Sequence, residues 1–243
     1  MDKGDRIAKV MARAGLCSRR DAEVWIREGR VKVDGKILES PAFCVTSQNR
    51  ILVDGKPLPH TESARLWLYY KPKGLVTTHK DEKGRPTIFE SLPKDLPRVI
   101  SIGRLDLNSE GLLLLTNDGE LARHLELPST AWIRKYRVRV HGKVDAEKLL
   151  TLEKGVTIEG IHYGPIQATL DRQKGDNAWL TVGLQEGKNR ELRRVFEFLG
   201  WPVMRLIRIS YGPFQLGPLK PGEVKSVAPR ILKDQLGSFL KKK

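Results

Sequence analysis

The chain has 243 residues, enough for one large domain or a medium one with a small appendage, and its 40% hydrophobic content excludes wholesale disorder. A formal net charge of +15 indicates a polyanionic partner, with nucleic acid as the leading candidate. The N-terminus shows no apolar secretory segment, and no apolar run approaches the roughly 20 residues of a membrane span, so we expect a cytoplasmic protein. Cys17 and Cys44 have no metal-ligand spacing.

Residues 1–60 begin with a pattern that predicts two short helices. Apolar residues from Ile7 to Ala14 recur at helical spacing, and Gly15 follows as a helix terminator. Ser18 has an acidic residue, Asp21, three positions later, which is the sequence signature of a capped helix start.

Two strand-turn units follow the predicted helices. VKVDGKIL (31–38) and ILVDGKPL (51–58) each place Asp-Gly between strand-forming residues, which is the strongest short-range hairpin signal. The polar residues 61–65 then predict a linker between a small N-terminal domain at 1–60 and a larger domain at 66–243.

Basic side chains concentrate at the second predicted helix. Arg19 and Arg20 lie in its first turn, where the helix dipole disfavours positive charge, so contact with phosphate is the natural use for them. Arg30 and Lys32 add charge between this helix and the first hairpin. A solvated basic face is the alternative. The whole stretch MARAGLCSRRDAEVWIREGRVKVDGK resembles the S4 domain, which implies an RNA-binding module, and we expect these four basic side chains to contact the RNA.

From residue 66 onward the pattern consists of many short strands with a few helices. We predict helices at 118–126, 144–153, 189–199 and 229–240. We predict strands at 66–70, 74–78, 99–105, 112–116, 134–141, 165–170, 178–184 and 203–211. Strands without regular helical alternation indicate an α+β fold with a mainly antiparallel sheet.

One acidic side chain, Asp106, lies between two apolar segments that both look like buried strands, VISIG and LLLLT. Its loop, RLDLNSEG, is rich in turn formers, so an ordinary turn with Asp106 paired to Arg104 is one interpretation. Leu105 and Leu107 favour another, in which the carboxylate is partly buried and needs an opposite charge or hydrogen-bond donors. An ionised, desolvated carboxylate of this kind is a nucleophile.

Basic residues also cluster in LQEGKNRELRRVFEFLG (184–200). Leu192, Val195, Phe196 and Leu199 share one predicted helical face, and three arginines share a neighbouring one. Because those arginines repel each other, an anionic partner is expected.

Four of these motifs, in this order, resemble those of pseudouridine synthases, in the branch that acts on ribosomal RNA. They are YYKPKGLVTT (69–78), GRLDLNSEGLLLLTNDGEL (103–121), RKYRVRV (134–140) and EGKNRELRRVF (186–196). The runs NRELRR and DGELA favour the large-subunit enzymes of that branch over the small-subunit enzymes.

The resemblance implies roles for individual residues. Asp106 matches the family's essential aspartate, Tyr136 the tyrosine that packs against the target base, and Arg193 the basic residue paired with the aspartate. The implied pocket and support residues are Leu206 and Lys71, and we also expect Arg104 in the pocket, either paired with Asp106 or in contact with the flipped nucleotide. From the charge of the third motif we expect RNA binding by Lys188, Arg190 and Arg194.

The implied reaction converts uridine to pseudouridine by breaking the N1–C1′ bond and joining C5 to C1′. It needs no cofactor and no metal, and the expected partner is ribosomal RNA, most of all 23S rRNA, bound by a monomer. A 16S rRNA enzyme and a non-catalytic RNA-binding assembly factor remain open as alternatives. A nuclease would need clustered carboxylates or a reactive histidine, which the sequence does not display.

Overall fold

A computed structural model describes residues 4–240, so the three lysines at 241–243 and residues 1–3 lie outside the described part. The chain divides into two compact units. The N-terminal unit comprises Met1–Ala64 with Asp95–Val99 and Asn117–Gly119, and the C-terminal unit comprises Arg65–Lys94, Ile100–Thr116 and Glu120–Lys243. None of the helices within residues 4–240 is long and apolar enough to cross a membrane.

The N-terminal unit has the predicted helices and hairpins. Its elements are β1 (Asp5–Arg6), α1 (Ile7–Arg13), α2 (Arg19–Arg27), β2 (Val31–Val33), β3 (Lys36–Ile37), β4 (Cys44–Val45), β5 (Ile51–Val53) and β6 (Lys56–Pro57). Ser18 and Asp21 form the predicted capping box at α2, in which each side chain accepts from the other's backbone N–H. The two hairpins pair through β2 and β5 into an antiparallel sheet of order β3-β2-β5-β6.

The C-terminal unit contains a large sheet with helices. Its elements are β7 (Leu66–Lys71), β8 (Ile100–Ile102), β9 (Glu110–Thr116), α3 (Gly119–Glu126), β10 (Arg134–His141), α4 (Ala146–Thr151), β11 (Val156–Ile158), β12 (Ile161–Tyr163), β13 (Ile166–Lys174), β14 (Asn177–Leu184), α5 (Glu191–Phe198), β15 (Val203–Tyr211), β16 (Phe214–Gln215), β17 (Val224–Ser226) and α6 (Pro229–Leu240).

The main path of the sheet runs β13-β14-β10-β15-β9-β7-β17, with β8 added to β9 and β16 to β15. Among the residues described, every pairing in this sheet is antiparallel except that between β9 and β15, which confirms the mainly antiparallel prediction. The leucines Leu112–Leu115 of β9 are fully buried on both faces of the strand, and β9 has strands on both sides. This strand fixes the base of the loop that carries Asp106.

The predicted strand at 74–78 is wrong. Within this stretch only Val76 forms a bridge, to Thr87, and Gly74 adopts a positive φ of 86° that interrupts an extended run. The segment forms hydrogen bonds to the loop at 105–107 instead. A period-2 pattern in the sequence does not distinguish such bonds from strand pairing. The predicted strand at 99–105 is also shorter, since β8 ends at Ile102.

The hairpin formed by β11 and β12 was not predicted. Its turn, Glu159-Gly160, has positive φ at both residues, as do the Asp-Gly turns of the N-terminal unit. Glu is a less typical residue for this turn than Asp or Asn, so the signal in the sequence is weak.

Candidate active site

A cavity of about 1160 Å³ opens beside the sheet of the C-terminal unit. Its wall is built from the loop between β8 and β9, from β10, β14 and β15, and from the segment 183–192 that leads into α5. Asp106, Tyr136, Leu206, Arg104 and Arg190 all line it, so the structure brings together residues that are up to about a hundred positions apart in sequence.

Backbone contacts fix the Asp106 loop from the segment that follows β7. The backbone N–H of Gly74 donates to the carbonyl of Leu107 at 2.9 Å. The Thr77 hydroxyl donates to the carbonyl of Leu105 at 2.9 Å and accepts from its N–H at 3.3 Å. Both neighbours of Asp106 are therefore held through their main-chain atoms, by the backbone of Gly74 and by the side chain of Thr77, which explains why the segment at 74–78 is not a strand.

Lys71 holds the loop from beneath. Its side chain is fully buried, and Nζ donates to the carbonyls of Pro72 at 3.0 Å, Asp106 at 3.1 Å and Ser109 at 2.9 Å. Burial lowers the pKa of Lys71 to about 8, although the charge of Asp106 acts in the opposite direction. Lys71 does not line the cavity, so its place is under the site rather than in it.

The carboxylate of Asp106 is half-buried and faces the cavity. It accepts no hydrogen bond and forms no ion pair within 4.0 Å from any residue in the described range 4–240, whereas its backbone carbonyl accepts from both Lys71 and Ser109. In particular, the alternative pairing with Arg104 is not formed, and Arg104 is exposed at the cavity wall. The backbone of Asp106 is therefore fixed by hydrogen bonds, whereas its carboxylate has no partner in the described range.

Arg193 supplies positive charge from α5. Its Nη2 donates to the carbonyl of Asn108 at 2.9 Å, and Nη1 donates to the carbonyl of Val203 at 3.2 Å. Burial and the nearby Arg190 lower the pKa of Arg193, whereas the charge of Asp106 raises it, so the two charges lie close enough to interact. The guanidinium thus bridges the Asp106 loop and β15 without a direct ion pair to the carboxylate among the described residues.

Tyr136 and Leu206 form the apolar part of the wall. Tyr136 lies on β10, opposite Arg208 of β15, and its side chain is 9% exposed. Leu206 is 6% exposed and lies two residues before Arg208, so both point to the same face of β15. A flat aromatic ring beside an aliphatic side chain is a surface on which a nucleobase stacks.

The predicted RNA-binding residues differ in whether their side chains already have a partner within the protein. Arg190 is exposed in the cavity wall, while Lys188 is ion-paired with Glu186 and Arg194 lies 3.5 Å from the Tyr163 hydroxyl. In the N-terminal unit, Arg19, Arg20 and Lys32 are exposed. Arg30 instead makes two hydrogen bonds to the Asp54 carboxylate, at 2.9 and 2.7 Å, and lies over the Trp25 ring.

A buried carboxylate next to the site, Glu110, is not among the residues predicted from the sequence. It accepts from Arg205 at 2.8 and 3.1 Å and from the Tyr70 hydroxyl at 3.2 Å, and Lys73 lies 3.6 Å away. Burial alone would raise the pKa of Glu110, but the bonds and charge of Arg205 outweigh it and hold the pKa below its ordinary value. This network joins β7, β9 and β15 beneath the Asp106 loop.

Two further cavity residues were missed, Glu191 and Arg208. Glu191 is 4% exposed and accepts from the backbone N–H of Lys188 at 2.8 Å. Burial raises the pKa of Glu191 to about 7, and the neighbouring Glu186 adds to the rise. Arg208 is 2% exposed. Its position in an alternating strand pattern was the available signal, but alternation does not distinguish a charged residue that faces a pocket from one that faces solvent.

Comparison with known proteins shows the family to which this sequence and fold are similar. The family described as RNA pseudouridylate synthase matches residues 65–198, and the S4 domain matches residues 5–51. An uncharacterized RNA pseudouridine synthase of Rickettsia felis is 54% identical over 93% of this chain and 98% of its own length. The ribosomal large subunit pseudouridine synthase B of Yersinia pestis is 45% identical over 88% of this chain and 69% of its own length. A crystal structure of a pseudouridylate synthase superposes with a TM-score of 0.67 and 25% identity over 94% of this chain and 98% of that one.

Proposed function

The chain belongs to the RNA pseudouridine synthase family, with an S4 domain in front, and we propose that it isomerises a uridine of large-subunit ribosomal RNA with Asp106 as its catalytic carboxylate. Family membership makes the chain an enzyme that converts uridine to pseudouridine in RNA. The choice of RNA and the roles of individual residues are the proposal.

The observation that carries the assignment of Asp106 is its uncommitted carboxylate at the cavity wall, on a backbone held by Lys71, Gly74 and Thr77. Isomerisation requires a carboxylate either to attack C1′ or to remove a proton from the sugar. Both routes need an oxygen that is not already engaged and a backbone that does not move. A carboxylate with a structural role would instead accept hydrogen bonds from other residues of the protein.

Tyr136 and Leu206 are proposed to hold the target uracil. A base taken out of its stack loses a few kcal/mol of stacking and pairing. Stacking on an aromatic ring returns about 1–3 kcal/mol of this, and Tyr136 is an aromatic side chain that lines the wall opposite Arg208, with Leu206 two residues before Arg208 on the same strand. Arg193, whose charge interacts with that of Asp106, is proposed to supply the positive charge of the site.

Exposed arginines are proposed to hold the RNA backbone. Arg104 and Arg190 lie in the cavity wall, and Arg19 and Arg20 lie in the first turn of α2. Because such contacts release counterions, affinity should fall steeply with salt, and each lost phosphate contact should reduce the slope of log K against log[salt] by about one.

The choice of the large ribosomal subunit is supported by the relatives named for it. The enzyme of Yersinia pestis at 45% identity and that of Pseudomonas aeruginosa at 42% are both called ribosomal large subunit pseudouridine synthase B. This chain spans only 69% and 63% of their lengths, so the substrate is inferred from the shared part alone.

Carbodiimide-dependent primer extension tests this proposal. Ribosomal RNA from cells with and without the gene is treated with carbodiimide, which leaves a stop for reverse transcriptase at each pseudouridine. We expect one stop in 23S rRNA to disappear without the gene and to return when the gene is supplied again. A stop lost from 16S rRNA, or no change in either RNA, would contradict the choice of substrate.

A further inference from the structure

Several buried polar atoms without a hydrogen-bond partner belong to residues of the cavity wall. Within residues 4–240, three residues that line it carry such an atom: Ser109 with Oγ, Glu191 with Oε1 and Arg208 with Nη2. Buried polar groups in native proteins are almost always satisfied, so each exception calls for an explanation. A ligand with complementary donors and acceptors is the explanation that fits atoms grouped around one cavity.

Arg208 is the most informative of the three because it is charged. Its side chain is 2% exposed, and Nε donates to the carbonyl of Leu112 at 2.6 Å. The guanidinium carbon lies 5.3 Å from the centre of the Tyr211 ring. No carboxylate in the described part of the chain lies within 4.0 Å of it, so one edge of the guanidinium is anchored and Nη2 is left without an acceptor. Burying a cation in this way is costly unless an oxygen acceptor arrives.

Strand register places this guanidinium beside the proposed base-binding wall. Arg208 pairs with Tyr136 of β10 on one side and with Gly111 of β9 on the other. Its charge also lowers the pKa of Lys71, which lies under Asp106, so Arg208 is close to the floor of the Asp106 loop. Leu206, two residues earlier, shares its face of the strand and lines the same cavity.

We propose that Arg208 binds the target uracil by donating a hydrogen bond from Nη2 to one of its two carbonyl oxygens, O2 or O4. Phosphate is the less fitting acceptor, because the exposed Arg104 and Arg190 are in reach of a backbone and the deeply buried Arg208 is not. This inference deepens the proposed function and rests on it.

The same contact assists the reaction. When the N1–C1′ bond breaks, its electron pair stays on N1 and its charge spreads onto O2 and O4. A fixed cation at one of these oxygens stabilises that charge as it develops. The ring then turns, C5 bonds to C1′, the proton on C5 is lost and N1 gains a proton, so the product is an isomer of the substrate. Arg208 exchanges no atom in these steps.

Sulfur substitution in the substrate tests the contact. The RNA fragment that contains the uridine identified by primer extension is prepared with uridine, 2-thiouridine or 4-thiouridine at the target. Single-turnover rates are measured by nucleoside chromatography for the wild type, Arg208→Met and Arg208→Lys. Arg172→Met, which removes an exposed arginine of β13, is the matched control.

Sulfur is a weaker acceptor than oxygen, so one of the two thio substitutions should slow the wild type and the control about tenfold. The same substitution should slow Arg208→Met less than about twofold, because the donor is already gone, and Arg208→Lys should fall between them. A merely structural role for Arg208 would lower all rates but leave the ratio of oxygen to sulfur substrates unchanged.

Equal ratios in the wild type and in the variants would overturn the inference. If Arg208→Met does not fold, the wild type and Arg208→Lys decide the question. A wild type that is slowed less than about twofold by 2-thiouridine and also by 4-thiouridine overturns the inference as well. If the wild type does not modify the unsubstituted RNA, both the proposed function and this inference fail. If it does modify that RNA but the ratios are equal, only the inference about Arg208 fails.

Discussion

Asp34 of the N-terminal unit and Asp106 of the C-terminal unit both lie in loops that join two antiparallel strands, yet the fold uses their carboxylates differently. The Asp34 carboxylate accepts from Asn49 Nδ2 and from the backbone N–H of Arg50, both at 2.7 Å. At Asp106 it is the backbone carbonyl that accepts, and no residue in the described range donates to the carboxylate.

The difference separates a carboxylate that builds the fold from one that is available for chemistry. In the first case the side chain orders its neighbours, and the bonds from Arg50 and Asn49 lower the pKa of Asp34. In the second case other groups order the loop, above all the buried Lys71, and the side chain contributes little to folding. A mutation of Asp34 should therefore lower stability and leave activity unchanged, whereas a mutation of Asp106 should lower activity and leave stability unchanged.

Among changes to the groups that surround Asp106, the largest effect is expected from Lys71→Met. The change removes all three side-chain donors that hold the carbonyls of Pro72, Asp106 and Ser109, so the loop moves. Since a displacement of about 1 Å costs on the order of 100-fold in rate, we expect at least that loss in single-turnover kinetics. Lys73→Met, which removes a half-exposed partner of Glu110, is the control and should stay within about threefold of the wild type. Similar rates for both variants would contradict the role of Lys71.

Replacing Tyr136 tests the surface that is proposed to hold the base beside the Asp106 carboxylate. Tyr136→Ala removes the stacking ring and should lower the rate about 10- to 100-fold, in line with 1–3 kcal/mol of stacking. Tyr136→Phe keeps the ring, so the difference between the two variants measures stacking, and the difference between Phe and wild type measures the hydroxyl. An alanine variant as fast as the wild type would exclude Tyr136 from base binding.

Lys71 also predicts a pH dependence of stability. Its pKa is about 8 in the folded chain and about 10.4 when unfolded, so between these values the unfolded state binds more protons and stability rises with pH. We expect the free energy of unfolding of the wild type, relative to Lys71→Met, to rise by about 2 kcal/mol from pH 7 to pH 9.5. Urea denaturation at the two pH values measures it. If the free energies of unfolding of the two proteins changed equally between the two pH values, Lys71 would not be held in a desolvated site.

The smallest effect is expected at the structural carboxylate. Asp34→Asn keeps a residue suited to the positive φ of 50° but weakens two hydrogen bonds, so Tm should fall by a few degrees with no change in the rate. Because the pKa of Asp34 is lowered by folding, its contribution is present above pH 3.8 and is lost as the pH falls through the folded pKa. The difference in Tm between the two proteins should therefore shrink in acid. A loss of activity instead would end the distinction drawn between the two aspartates.

Much of the frame around Asp106 could be predicted from sequence. The strands on both sides of the loop are apolar runs, and the antiparallel pairing of β8 with β9 follows from their separation by a short turn-rich loop. The resemblance also directed attention to Lys71. How Lys71 acts, through three carbonyls from two segments, depends on tertiary contacts and leaves no periodic signal.

Other parts of the site could not be predicted for the same reason. Gly74 to Thr78 reads as a strand, because side-chain alternation does not reveal that Thr77 bonds the Leu105 backbone instead of a ladder neighbour. Arg208 and Glu110 are charged residues within or at the end of strands, and their burial follows from the order of strands in the sheet. Sequence pattern gives a strand its faces, but the topology decides which face becomes a pocket.

The catalytic role of Asp106 is tested by the turnover of Asp106→Asn beside Asp34→Asn on the same ribosomal RNA fragment. Because the Asp106 carboxylate supports no hydrogen bond within the described chain, the first variant should keep the Tm and the RNA affinity of the wild type. Its single-turnover rate should fall at least about 10⁴-fold, as expected when a reacting side chain is removed. An Asp106→Asn enzyme that retains a tenth or more of the wild-type rate would contradict the central claim.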